Sequence, residues 1–275
     1  MPAEVGFSQA GEATQPSPSI WGDCPNNLLN DLGLGQFIDV RFDEGSPLGT
    51  VATTVVRPSP GPGLSLDCDD DTVLARTSDG KGLSIETDGD DNDAAAVFSA
   101  PLGAITRHSG KKFWFEAIVA PGDVDDDMAT YVGLVENAGL SRDVIADDVA
   151  ADGVIGESLI GYIQDLGDPD AYDLLYRKDA GTVVSVATDV TNSTQIASAD
   201  RASLTDGTFV KLGIRFDGRQ TLHFYVNGVK IATQDVDSTV DQTKEYGVIV
   251  AIKTGDAAAE QIHLKRIRAG YQERS

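Results

Sequence analysis

The pattern of apolar and polar positions changes near residue 62. From residue 64 onward, short apolar or alternating runs are separated by Gly, Asp and Asn, which is typical of β-sandwiches, and helical periodicity is nearly absent. About a dozen strands are predicted, at residues 82–86, 95–99, 113–119, 130–136, 159–165, 174–178, 182–187, 209–216, 221–226, 229–234, 246–253 and 261–268. Residues 137–156 are predicted to form a long acidic loop with a helical turn at 147–150. The predicted fold class is all-β, a two-sheet antiparallel sandwich over residues 63–275.

Residues 1–62 are predicted to form a separate N-terminal arm. Eight of the 11 prolines precede residue 63, and proline removes a ladder donor and favours extended backbone. Within the arm, Asp23 is predicted to cap a short helix over residues 28–32, and residues 37–42 alternate like a strand. We expect this arm to gain its order by lying against its own domain or against a neighbouring subunit.

Residues 209–234 carry the most specific local pattern, which predicts three strands joined by two turns. Asn227-Gly228 is the preferred pair for a two-residue type I′ hairpin. A three-residue loop at 217–219 keeps the large apolar side chains of all three strands on one face. The predicted pairs are Val226 with Val229, Phe224 with Ile231, Leu222 with Thr233, Ile214 with Leu222 and Leu212 with Phe224.

The charge of the chain excludes several classes of partner. Asp and Glu number 44 against 21 Lys and Arg, a net charge of −23, which repels nucleic-acid phosphates and anionic membrane surfaces. The longest apolar run, near residues 246–252, is far shorter than the roughly 20 residues of a membrane helix. The first fifteen residues lack the basic start and apolar stretch of a secretory signal, so we expect the chain to stay in the cell that makes it or to leave inside an assembly. Cys24 and Cys68 are expected to be reduced packing residues.

The strands described above resemble a known family. Tyr225-Val226-Asn227-Gly228-Val229, the runs at 113–119 and 131–134, and the closing strand at 261–269 are similar to concanavalin A-like and laminin-G-like jelly-roll domains, over residues 64–270. Such domains occur in lectins, in glycanases and on the virions of tailed bacteriophages. The N-terminal arm, the acidity and the missing signal most resemble the phage auxiliary, or capsid-decoration, group.

The glycanases of this family carry a Glu-x-Asp-x-x-Glu strand motif, and only one segment approaches it. Glu86 and Asp88 match the first two carboxylates, but Asp91 replaces the acidic Glu, and Gly89 interrupts the strand. Because 34 of the residues are Asp, we interpret this match as chance. His108, His223 and His263 form no metal or catalytic spacing, so no catalytic residue is predicted.

The acidic clusters at 67–71, 88–93 and 123–127 have the density of carboxylate oxygens that calcium requires. None of them matches an EF-hand loop, and solvated loops are the preferred interpretation. Asp123, Asp125 and Asp127 are the first candidates for ligands. Otherwise no cofactor is expected.

Two further groups are candidates for binding. Lys265, Arg266 and Arg268 concentrate positive charge in the closing strand, either as charge balance, which we favour, or as a docking patch for an acidic subunit. Tyr172, within Asp-Pro-Asp-Ala-Tyr-Asp, is the best candidate for a sugar-facing ring, whereas Trp114 lies in so apolar a strand that we expect burial.

These observations favour a non-enzymatic virion structural protein. It would be made in the host cytoplasm, form a homo-oligomer, with a trimer favoured, and cement a tailed-phage capsid by contacting the major capsid protein. The alternative is a lectin-like carbohydrate-binding module that recognises host-surface glycans, either with or without calcium. A glycanase using Glu86 and Asp88 ranks third.

Overall fold

The computed structural model shows an all-β chain. It describes residues 16–25, 34–42, 49–50, 55–58, 63–76, 82–122, 124, 128–146, 154, 157–165, 168–179, 181–196, 204–255 and 258–273. The helices are α1 (Pro18–Trp21) and α2 (Val236–Thr239). The strands are β1 (Gly35–Arg41), β2 (Gly49–Thr50), β3 (Val55–Pro58), β4 (Leu64–Cys68), β5 (Val73–Arg76), β6 (Leu83–Glu86), β7 (Ala94–Ser99), β8 (Gly103–Ala104), β9 (Phe113–Pro121), β10 (Met128–Glu136), β11 (Leu159–Asp165), β12 (Asp168–Arg177), β13 (Val184–Ala187), β14 (Val210–Phe216), β15 (Thr221–Val226), β16 (Val229–Asp235), β17 (Glu245–Thr254) and β18 (Gln261–Gln272).

The strands form two antiparallel sheets packed face to face. The first sheet has the order β16-β15-β14-β9-β18-β6-β5-β2, with β1 also paired to β18. The second has the order β13-β12-β11-β10-β17-β7-β4-β3, with β8 also paired to β17. All twelve predicted strands are present, so the two-sheet sandwich is confirmed. Strand β12 begins six residues before its predicted start, because pairing with β11 overrides the turn signals of Pro169 and the Asp residues.

The core lies between the sheets, and one tyrosine side chain spans it and links them. Alternate side chains of β9, β14 and β15 point inward, and Phe113, Phe115 and Leu212 are fully buried. Tyr162 of β11 reaches across the core from the second sheet. Its hydroxyl is 2.8 Å from the carbonyl oxygen of Gly213, and it accepts a hydrogen bond from the backbone N–H of Tyr225 at 3.0 Å. The two sheets are therefore fixed in position by polar contacts as well as by apolar packing.

The turn at Asn227-Gly228 has the predicted geometry, with φ of 50° and 79°, and Val226 lies opposite Val229. Beyond that pair, the predicted β15–β16 register is wrong by one residue. Phe224 lies opposite Ala232 and Leu222 opposite Gln234, because the register shifts between Phe224 and Tyr225. The resulting irregularity allows Ile231 to be buried in the core.

The loop between β14 and β15 keeps the predicted parity but not the predicted pairs. Ile214 lies opposite Phe224, and Phe216 opposite Leu222, a shift of two residues. The cause is Asp217, whose carboxylate accepts backbone hydrogen bonds from Arg219, Gln220 and Thr221 at 2.8 to 3.1 Å. The chain therefore turns one residue later than predicted.

The described parts of residues 1–62 either add strands to the two sheets or pack on the outside of the first sheet. Strand β1 runs antiparallel to β18, and β2 and β3 extend the first and second sheets. Helix α1 lies on the outer face of the first sheet, where Ile20 is 1% exposed. The predicted strand at 37–42 is confirmed, whereas the predicted helix over 28–32 falls outside the described residues. This part of the N-terminal segment is packed against its own domain.

The outer face of the second sheet is also covered. Val144, Ile145 and Val154 pack on a second apolar cluster that includes Tyr131 and Leu175. Ile145 and Val154 are joined by an isolated β-bridge, so these two residues lie side by side over the sheet. The predicted helical turn at 147–150 lies outside the described residues. In the part of the chain that the structure describes, no helix is long and apolar enough to cross a membrane.

Candidate functional site

A polar network on the outer face of the first sheet fixes the N-terminal segment. The carboxylate of Asp23 accepts hydrogen bonds from Trp114 Nε1 at 3.0 Å, Lys112 Nζ at 2.7 Å and Arg215 Nη2 at 2.5 Å. Burial acts to raise the pKa of Asp23, but these donors outweigh it and the pKa lies below its usual value. Asp23 is therefore an ionised anchor that joins the segment after α1 to β9 and β14.

Asp39 of β1 forms a second anchor. Its carboxylate accepts two hydrogen bonds from Arg266, at 2.7 and 2.6 Å, and a third from Arg268. Burial opposes ionisation, but the two guanidinium groups lower the pKa of Asp39. The Arg268 guanidinium also lies 5.2 Å from the ring centroid of Trp21 and 5.8 Å from that of Phe37.

A buried carboxylate lies under the N-terminal segment between these two anchors. Glu116 is 2% exposed and accepts a hydrogen bond from the backbone N–H of Ser17 at 3.0 Å. Burial raises the pKa of Glu116, and Ser17 and the buried Lys211 act against that shift. Burial also lowers the pKa of Lys211, which the charge of Glu116 opposes. All three sets of contacts hold the N-terminal segment against the first sheet.

An open cleft lies at the end of the sandwich where β17 begins and β18 ends. It has a volume of about 320 Å³, and its wall includes Gln36, Ala104, Lys111, Glu245, Tyr271 and Glu273. The Tyr271 ring lies against Gly103, where a Cβ atom would be 2.2 Å from the ring, so only glycine fits. A second hollow of about 420 Å³ adjoins it and shares Gln36 and Glu273. The cleft combines an aromatic ring with hydrogen-bonding groups of both charges.

The electrostatics of this end cleft are set by Tyr271 and its neighbours. Burial, followed by the charges of Glu273 and Glu245, raises the pKa of Tyr271. Its hydroxyl donates to the carbonyl oxygen of Ala104 at 3.2 Å, and Lys111 Nζ lies 5.9 Å from its ring centroid. The phenol therefore stays protonated, and the cleft offers polar and charged contacts beside an aromatic ring.

The structure overturns the prediction that Tyr172 faces a sugar. The residue lies within β12, not in a loop, and is fully buried. Its hydroxyl is 2.9 Å from Thr130 Oγ1, which in turn is 3.0 Å from Gln164 Oε1. Trp114 is buried as predicted.

The contacts of the basic cluster in β18 favour the first of its two interpretations, charge balance, over the docking patch. Arg266 and Arg268 are bound to Asp39, with only 10% and 14% of their side chains exposed. Lys265 Nζ lies 4.9 Å from the ring centroid of Phe209. Both arginines are thus paired with one carboxylate inside the chain, which supports a part in charge balance.

The near-glycanase segment does not have the strand geometry of the glycanase motif. Glu86 ends β6, where its carboxylate accepts a hydrogen bond from Gln261 Nε2 at 2.6 Å. Asp88 and Asp91 follow in the turns before β7, so the three carboxylates do not share one strand. Asp88 is instead hydrogen-bonded to Asp93. Burial and the Asp88 carboxylate raise the pKa of Asp93 to about 7.

The candidate calcium ligands Asp123, Asp125 and Asp127 lie outside the described residues. Among the residues that are described, no group of three or more His, Cys, Asp or Glu side chains is arranged to hold a metal. The acidic cluster at 67–71 binds protein groups instead. Asp67 accepts a hydrogen bond from the backbone N–H of Arg142 at 3.2 Å, and Asp69 forms an ion pair with the guanidinium group of Arg142 at 2.9 Å.

Comparison with known proteins gives a fold and no family. No family model matches the chain, and no curated protein matches its sequence. Among solved structures, a protein of unknown function from Shewanella oneidensis MR-1 matches at 9% identity with a TM-score of 0.50, covering 87% of each chain. The catalytic domain of an endo-1,3-beta-glucanase from Thermotoga petrophila RKU-1 has 10% identity and a TM-score of 0.49, covering 87% of this chain and 99% of that domain. Arcelin-5, a lectin-like defense protein from Phaseolus vulgaris, has 8% identity and a TM-score of 0.48, covering 86% and 99%.

The chain is a two-sheet antiparallel jelly-roll β-sandwich. This fold is found in glycanases as well as lectins, so it does not by itself assign an activity.

Proposed function

We propose that the chain is a non-enzymatic structural module that assembles with copies of itself, and that it decorates the capsid of a tailed bacteriophage. One observation carries the structural role: the chain's own segments cover an apolar part of the outer face of each sheet. On the first sheet the cover is α1 and the residues after it, and Ile20, Trp114 and Tyr225 are buried there. On the second sheet Val144, Ile145 and Val154 seal an apolar cluster. A long substrate therefore cannot lie on these covered parts of the two sheets.

The distribution of charge supports the same role. Many of the cations pair internally, as Lys112 and Arg215 do with Asp23, and Arg266 and Arg268 with Asp39. The acidic excess of a chain with net charge −23 is left to the surface. Such a surface keeps a displayed protein soluble and repels nucleic acid. The phage setting itself rests on the sequence resemblance alone, and it implies contact with a major capsid protein.

Two measurements test this proposal. Light scattering after size exclusion of the full chain, at moderate salt, is expected to give one defined oligomer; a monomer at every concentration would overturn self-assembly. Mass spectrometry of virions purified from the source of the chain is expected to find it at a fixed ratio to the major capsid protein. Its absence from virions would remove the capsid setting and leave self-assembly standing.

A second candidate function is carbohydrate binding at the end cleft. The observation that favours it is the Tyr271 ring surrounded by Gln36, Lys111, Glu245 and Glu273, since sugars are held by hydrogen bonds beside an aromatic surface. A glycan array should then give binding that Lys111→Ala abolishes and that Lys230→Ala, a change on the exposed edge of β16, leaves intact. Binding lost with a chelator and with Asp125→Asn would assign calcium to Asp123, Asp125 and Asp127. No binding to any glycan would remove this candidate.

A further inference from the structure

Strand β13 is a short exposed edge, irregular in its register against β12 between Ser185 and Ala187, and it has no charged side chain to guard it. In the described part of the chain its single strand neighbour is β12. Edge strands present unpaired backbone groups, and proteins commonly guard them with charged side chains. Residues 181–188, Gly-Thr-Val-Val-Ser-Val-Ala-Thr, have no charge, although the chain carries 44 acidic residues. By contrast, the edge strand β16 of the first sheet has an exposed Lys230.

The exposure of side chains singles out the same segment. Val184 is 40% exposed and is the one large apolar side chain among the described residues that is classed as exposed. Ser185 beside it is also exposed, whereas Val186 and Ala187 pack partly against the core. An uncharged edge with an exposed valine is suited to pairing with another strand.

The sequence of this edge is complementary to itself about Ser185. Antiparallel pairing of two copies around that residue places Val184 opposite Val186, Val183 opposite Ala187 and Thr182 opposite Thr188. Pairs of β-branched residues and of threonines stabilise antiparallel strands. Asp189 comes opposite Gly181, so no acidic side chain meets another across the pair. A strongly acidic chain can therefore bring two copies together here without a direct clash of charge.

We propose that β13 pairs with β13 of a second copy about a two-fold axis at Ser185. This pairing joins the second sheet of one copy to the second sheet of the other in one continuous sheet. The contact is isologous, so its product is a dimer, in place of the trimer expected from the sequence. This inference rests on the proposed self-assembly and names the surface that carries it.

The test uses the full chain and two variants with matched controls. Light scattering is expected to give twice the 29.0 kDa of one chain. Ser185→Asp sets two carboxylates opposite each other and should weaken dimerisation by about tenfold or more. Thr233→Asp, an equal change on the exposed β16 edge, should leave the dimer intact. Unchanged thermal unfolding of both variants verifies that they are folded.

A cross-linking experiment gives an independent readout. Ser185→Cys brings two thiols within disulfide reach across the axis, so oxidation should yield a covalent dimer, and Thr233→Cys should not. A wild-type oligomer that persists in Ser185→Asp and does not cross-link through Ser185→Cys would overturn the β13 contact and leave self-assembly standing. A wild-type monomer would overturn both.

Discussion

The side chain of Ile20 fills the space in front of Gly213. A Cβ atom placed on Gly213 would lie 2.3 Å from Ile20 Cδ1, far inside normal contact distance. The absence of a side chain in the middle of β14 is thus what lets α1 lie on the first sheet. Gly213 belongs to the core of the N-terminal attachment even though it is separated from α1 by most of the sequence.

Gly213→Ala is therefore expected to displace α1. Overpacking of this kind costs about 1 to 3 kcal/mol of unfolding free energy, and the segment with Trp21 should become accessible to protease. Chemical denaturation and limited proteolysis measure the two effects. Ile20→Ala added to Gly213→Ala should recover part of the loss, since it removes the clashing methyl group. Equal damage in the single and double variants would show that the contact does not limit α1.

The ion pairs of Asp23 and Asp39 should make stability fall in acid. Their folded pKa values are lowered, so the stabilisation is complete above the ordinary pKa near 4 and is lost as pH falls through the folded values. Asp39→Asn should cost about 1 to 3 kcal/mol at pH 7 and should reduce the acid-induced loss. Denaturation at pH 7 and pH 3 gives both numbers. A steep acid loss that persists in Asp39→Asn would assign it to other carboxyl groups.

The titration of Asp93 should lower stability as pH rises, opposite to the effect of Asp23 and Asp39. Its pKa is raised to about 7, by burial first and then by Asp88, with Asp69 and Asp90 adding to the effect. Folding therefore favours its protonated form, and this contribution is present below the ordinary pKa near 4 and is lost as pH rises through about 7. Asp93→Asn keeps a donor toward Asp88 and removes the titrating charge. The variant should gain more melting temperature relative to the wild type at pH 8 than at pH 5, because the contribution is lost between about pH 4 and pH 7. A gain of equal size at both values would contradict the assignment.

Local signals predicted the strands and the main hairpin, because they depend on few residues. Asn227 and Gly228 both need positive φ, which this pair tolerates, so the turn could be predicted from two positions. The shift in register at Tyr225 could not, because it depends on where Ile231 finds room in the core. Tyr172 was misplaced for a similar reason, since its polar neighbours are typical of a loop while its depth is set by the packing of two sheets.

The anchors of the N-terminal segment were missed because their partners are distant in sequence. Asp39 binds Arg266 across 227 positions, and Asp23 binds Trp114 across 91. A charged residue at an outward position of an alternating strand is visible in the sequence, but its partner depends on the order of strands in the sheet. No local sequence pattern predicted the Tyr271 cleft either, because its wall is formed by β1, β8, β17 and β18 together.

Tyr162 should be the most sensitive tyrosine of the core. Its hydroxyl contacts backbone groups of Gly213 and Tyr225 on the opposite sheet, and Tyr162→Phe would leave the N–H of Tyr225 without this acceptor. A buried polar group that loses its partner costs about 1 to 3 kcal/mol, so the free energy of unfolding should fall by that amount. Tyr172→Phe is the matched control, because its hydroxyl contacts the side chain of Thr130 within one sheet. It should cost about 1 kcal/mol, a typical value for one hydrogen bond. Urea denaturation of both variants makes the comparison, and a smaller loss for Tyr162→Phe than for Tyr172→Phe would show that the link between the sheets contributes little to stability.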